Sequence, residues 1–234
     1  MEISPTTPET GAVSDLAAAV KPKLRGWFHA GTAPLALAAG IVLICLAPPG
    51  RAKVGAVVFT VTAVLLFATS AVYHRGTWSA RVQVILKRMD HANIFLIIAG
   101  SYTPFALALL PWEQARTLLL IVWTGAIGGV LFRVFWVGAP RWLYTPIYVA
   151  LGWVAVFYFS PLLHFGGPAV ITLLTVGGLL YTIGAVVYGT KHPNPFPRWF
   201  GFHEIFHAFT VAAFVVHYIA ISLALYGVGA YPVS

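Results

Sequence analysis

The stretch VGAVVFTVTAVLLFATSAVY, residues 54–73, contains twenty residues and no charged side chain. An α-helix needs about 20 predominantly apolar residues to cross the hydrocarbon core of a bilayer. The run is continuously apolar and does not alternate, so it predicts a transmembrane helix rather than a strand of a membrane β-barrel. This stretch therefore predicts an integral membrane protein.

Further apolar runs of spanning length lie on both sides of this stretch, separated by short connections that contain proline, glycine or charge. They are residues 30–47, 91–110, 117–136, 143–161, 168–188 and 203–227. We therefore predict an all-α bundle of seven transmembrane helices over residues 24–234, preceded by a flexible tail over residues 1–23. The composition agrees, because 59% of the residues are hydrophobic and only 9% are charged, far less charge than a soluble surface carries.

The fourteen lysine and arginine residues are distributed unevenly over the predicted loops. With seven spans, eleven fall on one side of the membrane and three, Arg51, Lys53 and Arg116, fall on the other. Since loops rich in lysine and arginine stay in the cytoplasm, this count predicts a cytoplasmic N-terminus and an external C-terminus. The net charge of +8 thus reflects orientation, and no basic arm or face predicts binding to nucleic acid.

Ionisable and polar side chains at membrane depth are costly and are therefore candidate functional residues. Ser70 and His74 end the second predicted helix, Asp90 starts the third, and His203 and His207 start the seventh. A spacing of four places both members of each pair on one helix face. In the predicted topology all five lie at one depth near the cytoplasmic side. Four other histidines near predicted helix ends are expected to have no special role: His29, His91, His164 and His192.

Three neutral imidazoles are the ligand set of an open tetrahedral zinc site, whose fourth position is left to water. We therefore predict a Zn²⁺ ion bound by His74, His203 and His207. Asp90 is a candidate to hold and polarise the water, and Ser70 is a candidate to donate a hydrogen bond to a developing oxyanion. The single cysteine of the chain excludes a zinc site built from cysteines within one molecule.

Other interpretations of these residues remain open. The string HEIFH, residues 203–207, also matches the zinc-protease pattern H-E-x-x-H, in which Glu204 is the general base. We rank this lower, because the downstream candidate for a third ligand, His217, is about 15 Å deeper at ~1.5 Å per residue. Taken alone, Asp90 can pair with a neighbouring basic residue, and Ser70 can bond to a carbonyl of its own helix.

Four segments resemble a known family: SAVYH (70–74), MDHANIFLIIAGSYTPF (89–105), YTIGAVVYGTKHPNP (181–195) and FGFHEIFHAFTVAAFVVHY (200–218). From about residue 25 to the C-terminus, the chain resembles the bacterial hemolysin III branch of the progestin and adipoQ receptor family. This family belongs to a wider seven-helix group that includes alkaline ceramidases. The resemblance implies a multi-pass protein of the bacterial inner membrane, zinc on the same three histidines, and Asp90 and Ser70 in the surrounding polar shell. It also implies hydrolysis of an amide bond in a lipid such as ceramide.

Three functions are compatible with this pattern. The first is a zinc-dependent hydrolase that acts on an amide or ester bond of a membrane lipid. The second is a non-enzymatic regulator of the membrane, or a receptor-like protein, in which zinc joins three helices structurally. The third, suggested by the family's name, is a lytic factor. We rank it last, because the spans lack the polar rings that line conducting pores.

Overall fold

The computed structural model of the protein describes residues 22–227, which form α-helices and no β-strand. The all-α prediction is therefore confirmed for this range, while most of the predicted tail, residues 1–21, lies outside it. Six helical segments within the range are long and apolar enough to cross a membrane. They are α1 (Trp27–Leu46), α2 (Arg51–Arg75), α3 (Ala80–Leu109), α4 (Trp112–Phe135), the stretch Arg141–Thr190 and the last helix, Phe202–Gly227.

The stretch from Arg141 to Thr190 contains two of the predicted spans. It consists of α5 (Arg141–Gly152), a 3₁₀ turn (Trp153–Tyr158) and α6 (Phe159–Thr190); the last helix, Phe202–Gly227, is therefore α7. Gly167 interrupts α6 with φ 75° and ψ 173°, a conformation that glycine adopts without steric cost. Residues before Gly167 bond to residues after it: Trp153 Nε1 donates to Thr182 Oγ1 at 2.9 Å, and the Tyr144 and Tyr188 hydroxyls lie 3.0 Å apart. The stretch therefore doubles back at Gly167 as a helical hairpin.

Helix α3 begins at Ala80, eleven residues before the start of the predicted run 91–110. The predicted connection from Arg75 to Arg88 is reduced to residues 76–79, and Asp90 lies well inside the helix instead of at its start. No glycine or proline interrupts the sequence between Ala80 and Ala99, so the helix continues through its charged first turns. Burial begins only at Asp90, because residues 80–89 are exposed or half-buried.

Helix α3 is the most deeply buried of the spanning helices and packs against α2, α4 and α7. Its antiparallel contact with α2 is close, because a Cβ atom at Gly55 would collide with the backbone of Pro104. Further along the same contact, Asn93 Nδ2 donates to the carbonyl oxygen of Leu65 at 2.9 Å. This register places the last turn of α2 beside the part of α3 where the side chains become buried.

Candidate metal centre

The structure brings the three predicted metal ligands together. His74 comes from the last turn of α2, while His203 and His207 come from the first two turns of α7. The Nε2 atoms of His74 and His203 lie 3.2 Å apart, and one ligand atom from each of the three residues lies within 4.8 Å of the others. All three side chains are buried. The helices thus present three imidazoles to one point.

The donor set fits a metal ion that prefers imidazole. Two nitrogens bound tetrahedrally to zinc at ~2.1 Å lie about 3.4 Å apart, close to the separation of the His74 and His203 nitrogens. The three ligand atoms all lie within 4.8 Å of one another, so the other separations are of this order as well. Among metals that bind neutral imidazole, zinc is the commonest choice for such a set. Binding of zinc by His74, His203 and His207 stays a prediction.

Asp90 and Ser70 lie beside the three histidines. Asp90 Oδ2 is 3.7 Å from His74 Nε2, which is too long for a hydrogen bond but close enough for a second layer of polar groups around a metal. Ser70 Oγ is buried and does not bond to a carbonyl of its own helix; its hydroxyl lies beside the Asp90 carboxylate. Asp90 forms no ion pair with Lys87 or Arg88 in the described part of the chain. Both side chains face the same cavity as His203 and His207.

Glu204 makes contacts other than those expected of a general base. Its carboxylate forms an ion pair with Arg25 and accepts a hydrogen bond from the Gly201 backbone N–H at 2.8 Å. The side chain is only 1% exposed and does not line the cavity. Next to this pair, the backbone N–H of Lys23 donates to the Arg198 carbonyl at 3.1 Å. Glu204 therefore fastens the start of α7 to the segment before α1 and does not occupy the position of a general base.

His29 lies in the first turn of α1, the helix-end position that the sequence predicts, and it is buried against one of the predicted ligands. Its ring is 2% exposed and stacks in parallel on the His207 ring, with centroids 3.8 Å apart and an interplanar angle of 1°. Phe67 packs edge-on against the His29 ring, with ring centroids 5.0 Å apart. The His29 ring thus helps to fix the plane of His207. No sequence signal gave this, because it depends on α1 lying beside α7.

His91 is also buried, and it belongs to a chain of hydrogen bonds. Arg133 Nη2 lies 3.1 Å from His91 Nδ1, and His91 Nε2 lies 3.2 Å from the Tyr188 hydroxyl, which is 3.0 Å from the Tyr144 hydroxyl. A guanidinium can only donate, so a neutral His91 accepts at Nδ1 and donates from Nε2 to Tyr188. Arg133 itself is 1% exposed and lies over the Tyr144 ring, 4.2 Å from its centroid. No sequence signal gave this either, because it depends on which helices lie beside α3.

An elongated cavity of about 320 Å³ runs along α7 from His203 to His217. Its volume is at the lower end of the range of small-molecule sites, about 300–1,000 Å³. Most of its lining is apolar, with side chains such as Ile97, Leu118 and Leu162. Because His217 is ten residues beyond His207, the cavity is at least about 15 Å long at ~1.5 Å of helix per residue. These dimensions suit an extended apolar chain with a polar group at the histidine end.

Comparison with known proteins identifies relatives of this chain. Residues 17–218 match the protein family described as Haemolysin-III related. The chain belongs to this family. It is 36% identical to the hemolysin-3 homolog of Bacillus subtilis (strain 168) over 154 residues, which cover 66% of this chain and 69% of that protein. It is 34% identical to hemolysin-3 of Bacillus cereus over 186 residues, 78% of this chain and 82% of that protein.

More distant relatives of this haemolysin III family protein include eukaryotic proteins. It is 27% identical to the adiponectin receptor protein of Drosophila melanogaster over 191 residues, which cover 73% of this chain and 42% of the receptor. The resemblance to the hemolysin III branch of the progestin and adipoQ receptor family is thereby confirmed. Together with its apolar helices, this relationship identifies a multi-pass membrane protein.

Proposed function

We propose that this haemolysin III family protein is a zinc-dependent hydrolase that cleaves the amide bond of an acyl lipid such as ceramide. The proposal is carried by one observation: three buried imidazoles, a buried carboxylate and a buried hydroxyl lie together, and all of them except His74 line one end of an apolar cavity. Three histidines that leave a coordination position open are typical of catalytic zinc. The cavity offers the acyl chain a site beside them.

His74, His203 and His207 would hold a zinc ion, which would supply a Lewis acid and lower the pKa of water toward neutrality. Asp90, next to His74, orients the attacking water, accepts its proton and returns the proton to the leaving nitrogen. Ser70 donates its hydroxyl hydrogen to the carbonyl oxygen of the lipid as negative charge develops there. Water adds to the carbonyl carbon, the C–N bond breaks, and the products are a fatty acid and an amine. The apolar walls exclude other water from the site.

Purified zinc-loaded protein incubated with ceramide tests this proposal, with release of fatty acid followed by mass spectrometry. Asp90→Asn should keep the metal and lower turnover by about 10²–10⁴-fold, the usual contribution of a general acid–base group. Ser70→Ala should lower turnover by about 10²–10³-fold, as loss of one oxyanion donor does. Metal content is measured in every variant. Equal turnover in the three proteins would exclude the roles given to Asp90 and Ser70, and no turnover across a panel of acyl amides and esters when zinc is bound would exclude a hydrolase.

The second candidate function is a membrane regulator with structural zinc. It is favoured by the origin of the ligands, because His74 in α2 and His203 in α7 are far apart in sequence and a metal would tie the two helices together. In that case His203→Ala lowers the stability of the fold, whereas Asp90→Asn changes neither stability nor any cellular phenotype of the protein.

We also propose seven membrane crossings, with the N-terminus in the cytoplasm of a bacterial cell and the protein in its inner membrane. As a single helix, the fifty residues from Arg141 to Thr190 would extend about 75 Å, whereas the hydrocarbon core is about 30 Å thick. The hairpin at Gly167 supports two crossings in this stretch, and the eleven-to-three distribution of basic residues supports the orientation.

Cysteine labelling of intact cells tests this topology in a Cys45→Ser background. In the proposed topology, Ser79→Cys faces the cytoplasm and reacts with a membrane-impermeant maleimide only after permeabilisation. His164→Cys, near the bend at Gly167, reacts without it. The reverse pattern, or protection of both positions, would contradict the arrangement.

A further inference from the structure

A second pair of buried polar groups lies in the same cavity, away from the three histidines of the candidate metal centre. His217 of α7 and Tyr181 of α6 both line the cavity, and their ring centroids are 5.5 Å apart. Neither His217 Nδ1 nor the Tyr181 hydroxyl has a hydrogen-bond partner in the part of the chain that the structure describes. Polar atoms left unpaired in apolar surroundings are costly, so a pair of them in one cavity points to a ligand that completes them.

The hydrogen bond of the other ring nitrogen fixes the chemistry of this pair. His217 Nε2 lies 3.3 Å from the Leu174 carbonyl oxygen. A carbonyl oxygen only accepts, so Nε2 carries the hydrogen and Nδ1 of the neutral ring is an acceptor. The Tyr181 hydroxyl can donate or accept. Together the two residues offer one acceptor and one donor, which is the complement of a hydroxyl group.

The backbone of α6 holds the His217 ring in place. A Cβ atom at Gly177 would collide with the His217 imidazole, so the ring packs directly on the helix surface at this glycine. Phe105 contacts the ring edge-on, with centroids 6.5 Å apart. An imidazole held from two sides presents its free nitrogen in a defined direction, as recognition of a single polar group requires.

We propose that His217 and Tyr181 form a hydroxyl-recognition subsite for a lipid chain that occupies the cavity. The inference rests on the lipid binding included in the proposed function, but not on hydrolysis. His217 is about 15 Å along α7 from His207, at ~1.5 Å per residue. The recognised hydroxyl therefore lies well down the chain from the polar end that faces the three histidines. A plain acyl chain would leave both groups unpaired, and this difference makes the subsite selective.

Ricinoleic acid and oleic acid are matched probes for this subsite. They share chain length and double bond, and ricinoleic acid adds one hydroxyl roughly two thirds of the way along the chain. Their dissociation constants are measured with the purified full-length zinc-loaded protein in detergent, by displacement of a fluorescent fatty acid. The two acids partition differently into micelles, so the quantity compared is the oleic-to-ricinoleic ratio of dissociation constants in each variant.

Wild-type protein should favour ricinoleic acid by about tenfold, the effect of pairing two buried polar groups that are otherwise unsatisfied. Tyr181→Phe removes only the hydroxyl and should bring the ratio down to about threefold or less. Tyr218→Phe is the control, because the Tyr218 hydroxyl donates to the Ala39 carbonyl of α1 at 3.0 Å and lies outside the cavity lining. The control should keep the wild-type ratio.

The outcomes of these measurements distinguish failure of the proposed subsite from failure of the proposed hydrolysis. An equal ratio in wild type and Tyr181→Phe means that the pair is satisfied by water at most, and the subsite is overturned. Failure of both acids to bind overturns it as well. If the hydroxyl preference depends on Tyr181 but no acyl amide or ester is cleaved, the subsite stands and the hydrolase proposal falls.

Discussion

The first turns of α7 carry two candidate metal ligands, and the Arg25–Glu204 pair fastens these turns to the segment before α1. The pair is asymmetric, because the Glu204 side chain is 1% exposed and that of Arg25 is 21% exposed. Breaking a buried ion pair costs about 3–5 kcal/mol, whereas an exposed pair contributes about 0–1 kcal/mol. The cost of breaking this pair therefore depends on which partner is left behind.

Replacing Arg25 with glutamine leaves a carboxylate buried without a counter-ion, and we expect a loss of about 3–4 kcal/mol, near the buried limit. Replacing Glu204 with glutamine leaves an arginine that can turn to water. The new amide oxygen can still accept from the Gly201 N–H, so we expect a loss of only about 1–2 kcal/mol. For a chain of this length these losses correspond to melting temperatures lower by about 6–16 °C and about 2–8 °C.

Thermal unfolding of the purified protein in detergent, followed by tryptophan fluorescence, measures both losses. The double variant completes the cycle and should be more stable than Arg25→Gln alone, since no charge is then buried unpaired. Metal content is determined before each melt, so that a lost ion is not mistaken for a lost ion pair. The reasoning fails if Arg25→Gln is the milder variant. It also fails if Glu204→Gln melts like wild type but loses metal-dependent turnover, because Glu204 would then act as the base of the H-E-x-x-H pattern.

Three further substitutions test the site and the fold. His203→Ala leaves two imidazoles and should weaken zinc binding by more than about 100-fold in competition with a chelator; unchanged affinity would remove it from the ligand set. Gly177→Ala places a methyl group against the His217 ring and should cost about 1–3 kcal/mol, whereas Gly178→Ala, with open space around it, should be neutral or slightly stabilising in the same melt. Gly167→Ala forces a side chain into a backbone conformation reserved for glycine and should cost about 1–3 kcal/mol; an unchanged melting temperature would contradict the bend.

The sequence predicts a helix well where the length of its apolar run alone determines whether it crosses the membrane. The run 54–73 lies inside helix Arg51–Arg75, because the thickness of the bilayer fixes the minimum length of such a run. The start of α3 was predicted wrongly because the same rule, the length of the apolar run, was applied to it. Apolar length marks where lipid begins, but backbone hydrogen bonds continue a helix into water, so α3 starts at Ala80 and carries Asp90 in its interior.

In the candidate site too, some features could be predicted from the sequence and others could not. His203 and His207 were paired correctly from their spacing, because four residues are one turn of a helix. Placing His74 beside them needed the predicted depth of the helix ends as well. The contacts of His29 and His91 could not be predicted this way, since their burial depends on which helices are neighbours in the bundle. A period of 3.6 residues gives the direction of a side chain but not the identity of the helix that it meets.

One face of α7 carries both polar positions of the cavity. His203, His207, Thr210 and His217 follow one another at spacings of four, three and seven, which keep them near one stripe of the helix. Thr210 satisfies its hydroxyl on the Phe206 carbonyl of its own helix at 2.9 Å, so the stripe is polar without needing a ligand at that point. The imidazoles at its two ends have no such local partner. Because one rigid helix holds both ends, the separation of about 15 Å sets the distance between the polar groups of a ligand that satisfies both. In the proposed subsite, selectivity for chain length and for hydroxyl position would follow from the spacing of these residues on one helix.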